Sequence, residues 1–347
     1  LYDRVKGQEI LISGYGTDPT NRTPGTRHSV CPRTNKNGRI IVFASLDTGL
    51  HDPNGDGNPD PLPPYATPTN SAPWVIYVHD RDADGNGTYD ETPPSGLTAT
   101  YAVAAASSPY VALSPDTGGT YIAYQVRDQT TTPPSWALLV KEWRNNIVTD
   151  PPVAVSPVAF SIPSIVGIVQ PVNGAIVAFT ANRDFEGNKA GVWLAQIDFS
   201  GATPTVTLQP ISLNNGVNGA PVISPDATHV AFHTTASDIV ITANLLDRNG
   251  VDDIYVFDLT TMTPIWSTLL VRGLPSPQPP IGPFDPCVHP SLSSLVGNSL
   301  FVAFEHWVKD PVTGAQQVIV RRSQILPSSN LLYSWRLKQA RRFTPLP

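Results

Sequence analysis

Apolar residues in this chain come in short alternating runs, each entered through a proline-bearing turn. Ser224-Pro-Asp-Ala-Thr-His-Val-Ala-Phe232 shows the unit. Pro225 presets its φ angle and Asp226 bonds nearby backbone, while Val230 to Phe232 alternate between two faces, so the stretch predicts a tight turn followed by a half-buried strand. The same shape recurs at 32–43, 115–124, 171–179 and 290–304, ending in Ile-Val-Phe43, Ile-Ala-Tyr124, Val-Ala-Phe179 and Val-Ala-Phe304. These five copies set the register for the rest of the chain.

Around each copy, further apolar runs complete a unit of roughly 50 to 80 residues holding about four short strands. The units run over about 28–107, 108–161, 162–219, 220–283 and 284–347. The first is the longest because a proline-rich insertion, 60–73, separates its second strand from Trp74-Val-Ile-Tyr-Val-His79. Four-stranded units at this spacing predict an all-β fold, a β-propeller of four-stranded blades forming a single domain. Five repeats imply five blades. Residues 1–27 read as the second half of a repeat, which makes six blades if the missing half lies upstream. In the favoured arrangement there are five blades and residues 9–13 help close the ring, removing an open sheet edge.

The Ser-Pro-Asp turn, the Val-Ala-Phe strand, an Asp/Asn-Gly loop and a strand such as Asp253-Ile-Tyr-Val-Phe-Asp258 together resemble the TolB-type propeller repeat. The resemblance spans most of 28–323 and is strongest in the fourth repeat. It implies a propeller and a binding or scaffolding role in the cell envelope or outside the cell, and it implies no particular reaction.

Composition narrows the partners. The 347 residues are 40% hydrophobic and 14% charged, as in a folded, strand-rich protein, and 37 prolines and 25 glycines between the apolar runs argue against helical domains. A net charge of −6, with 336–342 as the one dense basic stretch, argues against nucleic acid. No apolar run reaches the roughly 20 residues of a membrane span. The chain starts at Leu1 inside what reads as a strand, so a secretory signal is expected upstream and an extracellular or cell-surface location follows, with the periplasm as second choice. Cys31 and Cys287 lie on the opening strands of the first and last repeats, where ring closure would bring them together as a disulfide latch. Counted back from Pro32 and Pro290, however, they are two residues out of register.

Candidate chemistry sits in the acidic loops. Asp80-Arg-Asp82-Ala-Asp84-Gly85-Asn86-Gly-Thr88-Tyr-Asp90-Glu91 places oxygen ligands at positions 1, 3 and 5, glycine at 6 and a carboxylate at 12, and so resembles an EF-hand calcium loop set between strands. Gly87 departs from that pattern, since an aliphatic residue normally stands there. Asp52, Asn54, Asp56, Asn58 and Asp60 alternate similarly and resemble the shorter calcium loops of extracellular repeat proteins; Asp247 to Asp253 is a weaker third candidate. Structural Ca2+ is the cofactor these loops predict. The sequons at Asn21 and Asn86 permit glycosylation, although the second lies inside a calcium loop.

No catalytic constellation stands out. The opening strands carry no acid pair suited to glycoside hydrolysis, and there is no Gly-x-Ser-x-Gly elbow. His28 and His289 would meet near the axis as metal ligands, against the more ordinary role of core histidines. Trp74, Trp136, Trp193 and Tyr255 recur on third strands, as packing between blades requires. The expected function is therefore a binding or scaffolding module acting on a protein partner, a cell-surface assembly or a glycan. A carbohydrate-active enzyme, hydrolase or lyase, working in the central funnel is the alternative.

Overall fold

A computed structural model describes residues 2–3, 7–15, 22–52, 58–90, 100–116, 121–128, 135–144, 147–148, 152–158, 164–168, 174–181, 191–239, 247, 249–271, 286–297, 299–309 and 316–325. Among them there is no α-helix, and the strands form two short hairpins and five larger antiparallel sheets, the blades of a five-bladed β-propeller. The chain divides into two compact units, Leu1–Ser156 and Pro157–Pro347.

The first unit opens with short local hairpins: β1 (Tyr2–Asp3) pairs with β2 (Gln8–Glu9), and β3 (Gly14–Tyr15) with β4 (Thr23–Pro24). Blade 1 follows as β5 (Ser29–Thr34), β6 (Ile40–Ser45), β7 (Trp74–Asp80) and β8 (Thr100–Ala106). Blade 2 comprises β9 (Val111–Leu113), β10 (Tyr121–Asp128), β11 (Ser135–Arg144) and β12 (Ile147–Val148), and β13 (Val153–Val158) also pairs with β11, giving five strands where four were expected.

The second unit holds blade 3, from β14 (Ser164–Ile168) through β15 (Gly174–Ala181) and β16 (Gly191–Asp198) to β17 (Thr205–Leu213). Blade 4 is β18 (Asn218–Ile223), β19 (His229–Thr234), β20 (Asp253–Asp258) and β21 (Thr263–Ser267). Blade 5 is β22 (Cys287–Leu292), β23 (Leu300–Lys309) and β24 (Gln316–Ile325). The further strand expected at 332–338 lies outside the described residues.

In blades 1 and 4 the repeated strand is more deeply buried than its alternation suggested: all six residues of β6 and five of the six of β19 are buried, because each of these blades is covered on both faces, whereas β23 in blade 5 keeps the alternation. Alternation survives as a division between two cores. In blade 4, Val230, Phe232, Tyr255 and Phe257 face blade 3, whereas Ala231, Ile254 and Val256 face blade 5. In blade 1, Ile40, Val42 and Ala44 pack toward blade 2. Its other face, with Ile41, Phe43 and Tyr77, is covered by Ile10 and Ile12 of the N-terminal segment and by Leu50 and Ala66 of the connection from β6 to β7. This cover leaves an apolar groove of about 350 Å³ beside Phe43 and the opening strand.

A second regularity is a bulge in the opening strands. Pairing is interrupted between Val30 and Arg33, Gly219 and Val222, and Val288 and Ser291, so Cys31-Pro32, Ala220-Pro221 and His289-Pro290 each set two residues against one on the next strand, Phe43, Phe232 and Phe304. Cys31 and His289 take positive φ angles there, 55° and 51°. A proline suits the bulge because its missing N–H would find no partner in the ladder.

The bulge also accounts for the cysteines. The position equivalent to Cys31 is His289, while Cys287, opposite His306, corresponds to Ser29, opposite Ser45. Cys287 is fully buried in the core between blades 4 and 5. Neither cysteine is in a disulfide, so the expected latch is not formed.

Candidate functional site

Blade 1 carries the polar network that the sequence pointed to, held by arginines the loop pattern did not foretell. β7 ends on buried Asp80, and Arg39, just before β6, grips it with Nε donating to Oδ1 and Nη2 to Oδ2, each at 2.7 Å. This planar fork is the geometry that guanidinium and carboxylate favour. The same Nη2 donates to the Asp82 carbonyl at 2.8 Å, and Nη1 stands 3.8 Å from the Asp82 carboxylate. The hydrogen bond to Asp80 in turn holds the Arg39 guanidinium above its ordinary pKa.

Arg81 does the same at the other end of the loop. Its Nε donates to both Asp90 oxygens at 2.9 and 3.0 Å, Nη2 donates to Asp90 Oδ2, and Nη1 donates to the Gly38 carbonyl at 3.0 Å. The paired side chains are 7% and 2% exposed, which makes this a buried ion pair. Between the two clamps the loop folds on itself. Asp82 accepts from the Gly87 amide, Asp84 from the Asn86 amide and Asn86 from the Thr88 amide, with Gly85 and Gly87 at φ angles of 73° and 87°.

The EF-hand-type ligand set expected over 80–91 is therefore not gathered as such. Asp80 and Asp90 meet guanidinium groups, Asp82, Asp84 and Asn86 carry the loop's remaining ligand oxygens, and Glu91 lies outside the described residues. Among the described residues, no three His, Cys, Asp or Glu side chains gather as a metal-holding group.

Of the second loop, Asp52, Asn58 and Asp60 are described, and Asn54 and Asp56 lie outside the described residues. Asp52 is buried, and the Asp60 amide donates to the His51 carbonyl at 2.7 Å. Burial lowers the pKa of Arg22, outweighing the charges of Asp90 and Asp52, which raise it. Its Nη1 lies 3.4 Å from His79 Nδ1, and its Nε is buried without a hydrogen-bond partner. Nothing in the acidic-loop pattern singles out Arg22, because it lies some thirty residues before the nearer loop.

His79 is 2% exposed, with Thr100 Oγ1 2.9 Å from its Nδ1. Burial first, then the charges of Arg22 and Arg81, push its pKa well below the ordinary value, so it folds neutral. Because the unfolded chain binds this proton more tightly, the contribution of His79 is complete above the unfolded pKa and is lost as pH falls through it. Lowering pH from 6.5 to 5.5 is expected to reduce unfolding free energy with a slope approaching ~1.4 kcal/mol per pH unit for this one proton. His79→Gln should flatten the urea midpoint over that interval; an unchanged slope in the variant would refute the assignment.

The third acidic loop is a turn held by protein donors. Asp247 Oδ1 accepts from the Asn249 amide at 3.0 Å, Asn249 Nδ2 donates to Asp253 Oδ2 at 2.9 Å, and Thr268 Oγ1 donates to Asp253 Oδ1. Asp226 is likewise a turn residue. Burial would raise its carboxyl, but hydrogen bonds from Ser224, the Leu295 amide and Thr228 outweigh that and hold it below the ordinary value.

The histidines depart from the core role expected for them. His28 and His289 are both exposed. In the second unit His289 lies beside His233, their ring centroids 6.1 Å apart and nearly edge-to-face at 76°. His233 Nδ1 is 2.9 Å from Asp252 Oδ1, and His289 Nδ1 is 3.1 Å from Glu305 Oε2, which also accepts from Trp307 Nε1 at 3.0 Å. Glu305 occupies in blade 5 the register position that His233 holds in blade 4, opposite Val288 and Gly219 respectively. That equivalence was the available sequence signal. The third-strand aromatics behave as packing requires, with Trp193 and Tyr255 buried and Trp74 packed against the core between blades 1 and 2.

No family model matches the chain, and no curated protein does. Among solved structures, the hydrazine synthase of Kuenenia stuttgartiensis is similar over 84% of this chain and 62% of that one, at 10% identity and a TM-score of 0.40. A xylan β-1,4-xylosidase from Bacillus halodurans C-125 is similar over 98% and 61%, at 11% identity and 0.37. Prolyl oligopeptidase B from Galerina marginata is similar over 88% and 41%, at 10% and 0.37. The chain thus spans less than two thirds of the length of each. No described helix is long and apolar enough to cross a membrane.

Proposed function

We propose that this chain is an extracytoplasmic binding or scaffolding module, a rigid propeller that presents the long loops of its first blade to a protein partner or surface glycan. The observation that carries the reading is the pinning of those loops. Arg39 and Arg81 clamp the ends of the 80–90 loop. The connection from β6 to β7 is tied at its start, where Asp47 accepts from Thr26 Oγ1 at 3.2 Å and from the Gly49 amide at 2.9 Å. Farther along, Lys141 Nζ sits 4.6 Å from the Tyr65 ring centroid. Loops fixed this way pay less ordering entropy on association, as a recognition surface needs.

Calcium belongs to the same reading. Asp82, Asp84 and Asn86 would hold it, and the ion would offset the charge of Asp84, which neither arginine pairs, beside Asp82. With calcium at 100 times its Kd, the stabilisation would be about 2.7 kcal/mol. The full chain should therefore melt higher in calcium than in chelator, and Asp84→Asn should remove the difference. A melt indifferent to both would refute the ion.

The module itself is tested by incubating the full chain with intact cells and with a panel of oligosaccharides. Binding without turnover, weakened in Asp84→Asn, is expected. Hydrolysis or elimination of any oligosaccharide would overturn the reading in favour of a carbohydrate-active enzyme.

A further inference from the structure

We propose that His233 and His289 form a binding site for a first-row transition metal ion of the Zn2+ or Cu2+ class, separate from the acidic loops of blade 1 and independent of the binding role. Three features of the second unit converge on it. The first is protonation geometry. A carboxylate only accepts, so Asp252 and Glu305 each place the imidazole proton on Nδ1 and leave the lone pair on Nε2. A histidine with one nitrogen hydrogen-bonded to a carboxylate and the other free to ligate is the usual support of a metal-bound imidazole.

The second feature is spacing. A metal about 2.1 Å from each of two imidazole nitrogens holds the ring centroids roughly 5–6 Å apart, close to the 6.1 Å between His233 and His289. The third is access. The two side chains are 18% and 52% exposed, so solvent or a ligand can complete a shell that two imidazoles fill only in part. Room beside His233 comes from its cross-strand partner Gly219, where a methyl group would lie 2.5 Å from His233 Nε2.

The fold places these residues for local reasons. The bulge at His289-Pro290 turns His289 out of the alternation of β22. Equivalent bulges hold Cys31 and Ala220, so the backbone device is general to the propeller and the histidine is particular to blade 5.

The test is calorimetric titration of the calcium-saturated full chain with ZnCl2 and, separately, CuCl2. One equivalent should bind saturably. His233→Asn and His289→Asn should each weaken binding at least tenfold, and asparagine suits the positive φ of His289, so that variant keeps its backbone. Glu305→Gln, which perturbs only the orienting partner, should cost about 10–100-fold. His28→Asn, in the other unit, should bind as the wild type does. Should a variant fail to fold, imidazole nitrogen NMR of the wild type gives the same answer: zinc must shift Nε2 of both histidines. Absence of saturable binding, or affinity unchanged in both histidine variants, would overturn the proposal, and neither result bears on the calcium loop.

Discussion

Asp90→Asn is expected to destabilise the first unit by about 3–5 kcal/mol, the usual cost of leaving one partner of a buried ion pair alone. Asparagine tolerates the left-handed backbone of Asp90, whose φ is 56°, so the substitution removes charge without adding strain. Arg81 would then keep its hydrogen bond to Gly38 and its place over the Tyr89 ring, 5.1 Å from the centroid, while its charge lost its counterion. Arg81→Met should cost a similar amount by stranding Asp90. The double variant should lose less than the two singles together, because no uncompensated charge stays buried. Urea unfolding of the full chain and its three variants measures this coupling. Additive losses, or singles within about 1 kcal/mol of wild type, would show that water screens the pair.

The second large effect belongs to the repeated strand. Phe232 is fully buried and stacks on Tyr255 and Phe257 at centroid distances of 6.3 and 5.4 Å. Phe232→Ala should cost about 3–5 kcal/mol from lost transfer energy plus the cavity left behind, a fall of roughly 10 °C in melting temperature for a unit of this size. Phe232→Leu, which fills more of the space, should recover more than half of that. A drop of only a few degrees for alanine would mean that the blade 3 face collapses onto the gap.

How far the site could be read from the chain differs from residue to residue. Asp80, Asp82, Asp84, Asn86 and Asp90 were visible as a pattern because a tight acidic loop is local, and their spacing alone made it a candidate. Arg39 and Arg81 were not visible as its counterions. Arg39 reads as one polar residue before a strand, and its reach to Asp80 depends on the register that sets Ile40 opposite Asp80. Arg22 was still less accessible, since His79, 3.4 Å from its Nη1, lies 57 residues along the chain. The pairing of His289 with His233 was not visible for a similar reason, since it depends on the bulge that turns His289 toward blade 4.

The sequence by itself determined the all-β architecture, the number of repeated strands, the third-strand position of Trp74, Trp136, Trp193 and Tyr255, and the turn role of Asp226. Each depends on periodicity or on hydrogen bonds within a few residues, where backbone sterics and alternation act without help from distant segments. Tertiary structure alone decided that the repeated strand of blades 1 and 4 is buried on both faces, that Arg39 and Arg81 clamp the acidic loop, that Cys31 and Cys287 form no disulfide, and that two carboxylate-held histidines meet between blades 4 and 5. Those outcomes turn on the pairing of β-strands and the position of single bulges. A shift of one or two residues there redirects a side chain from core to solvent without altering the hydrophobic pattern that specifies the strand.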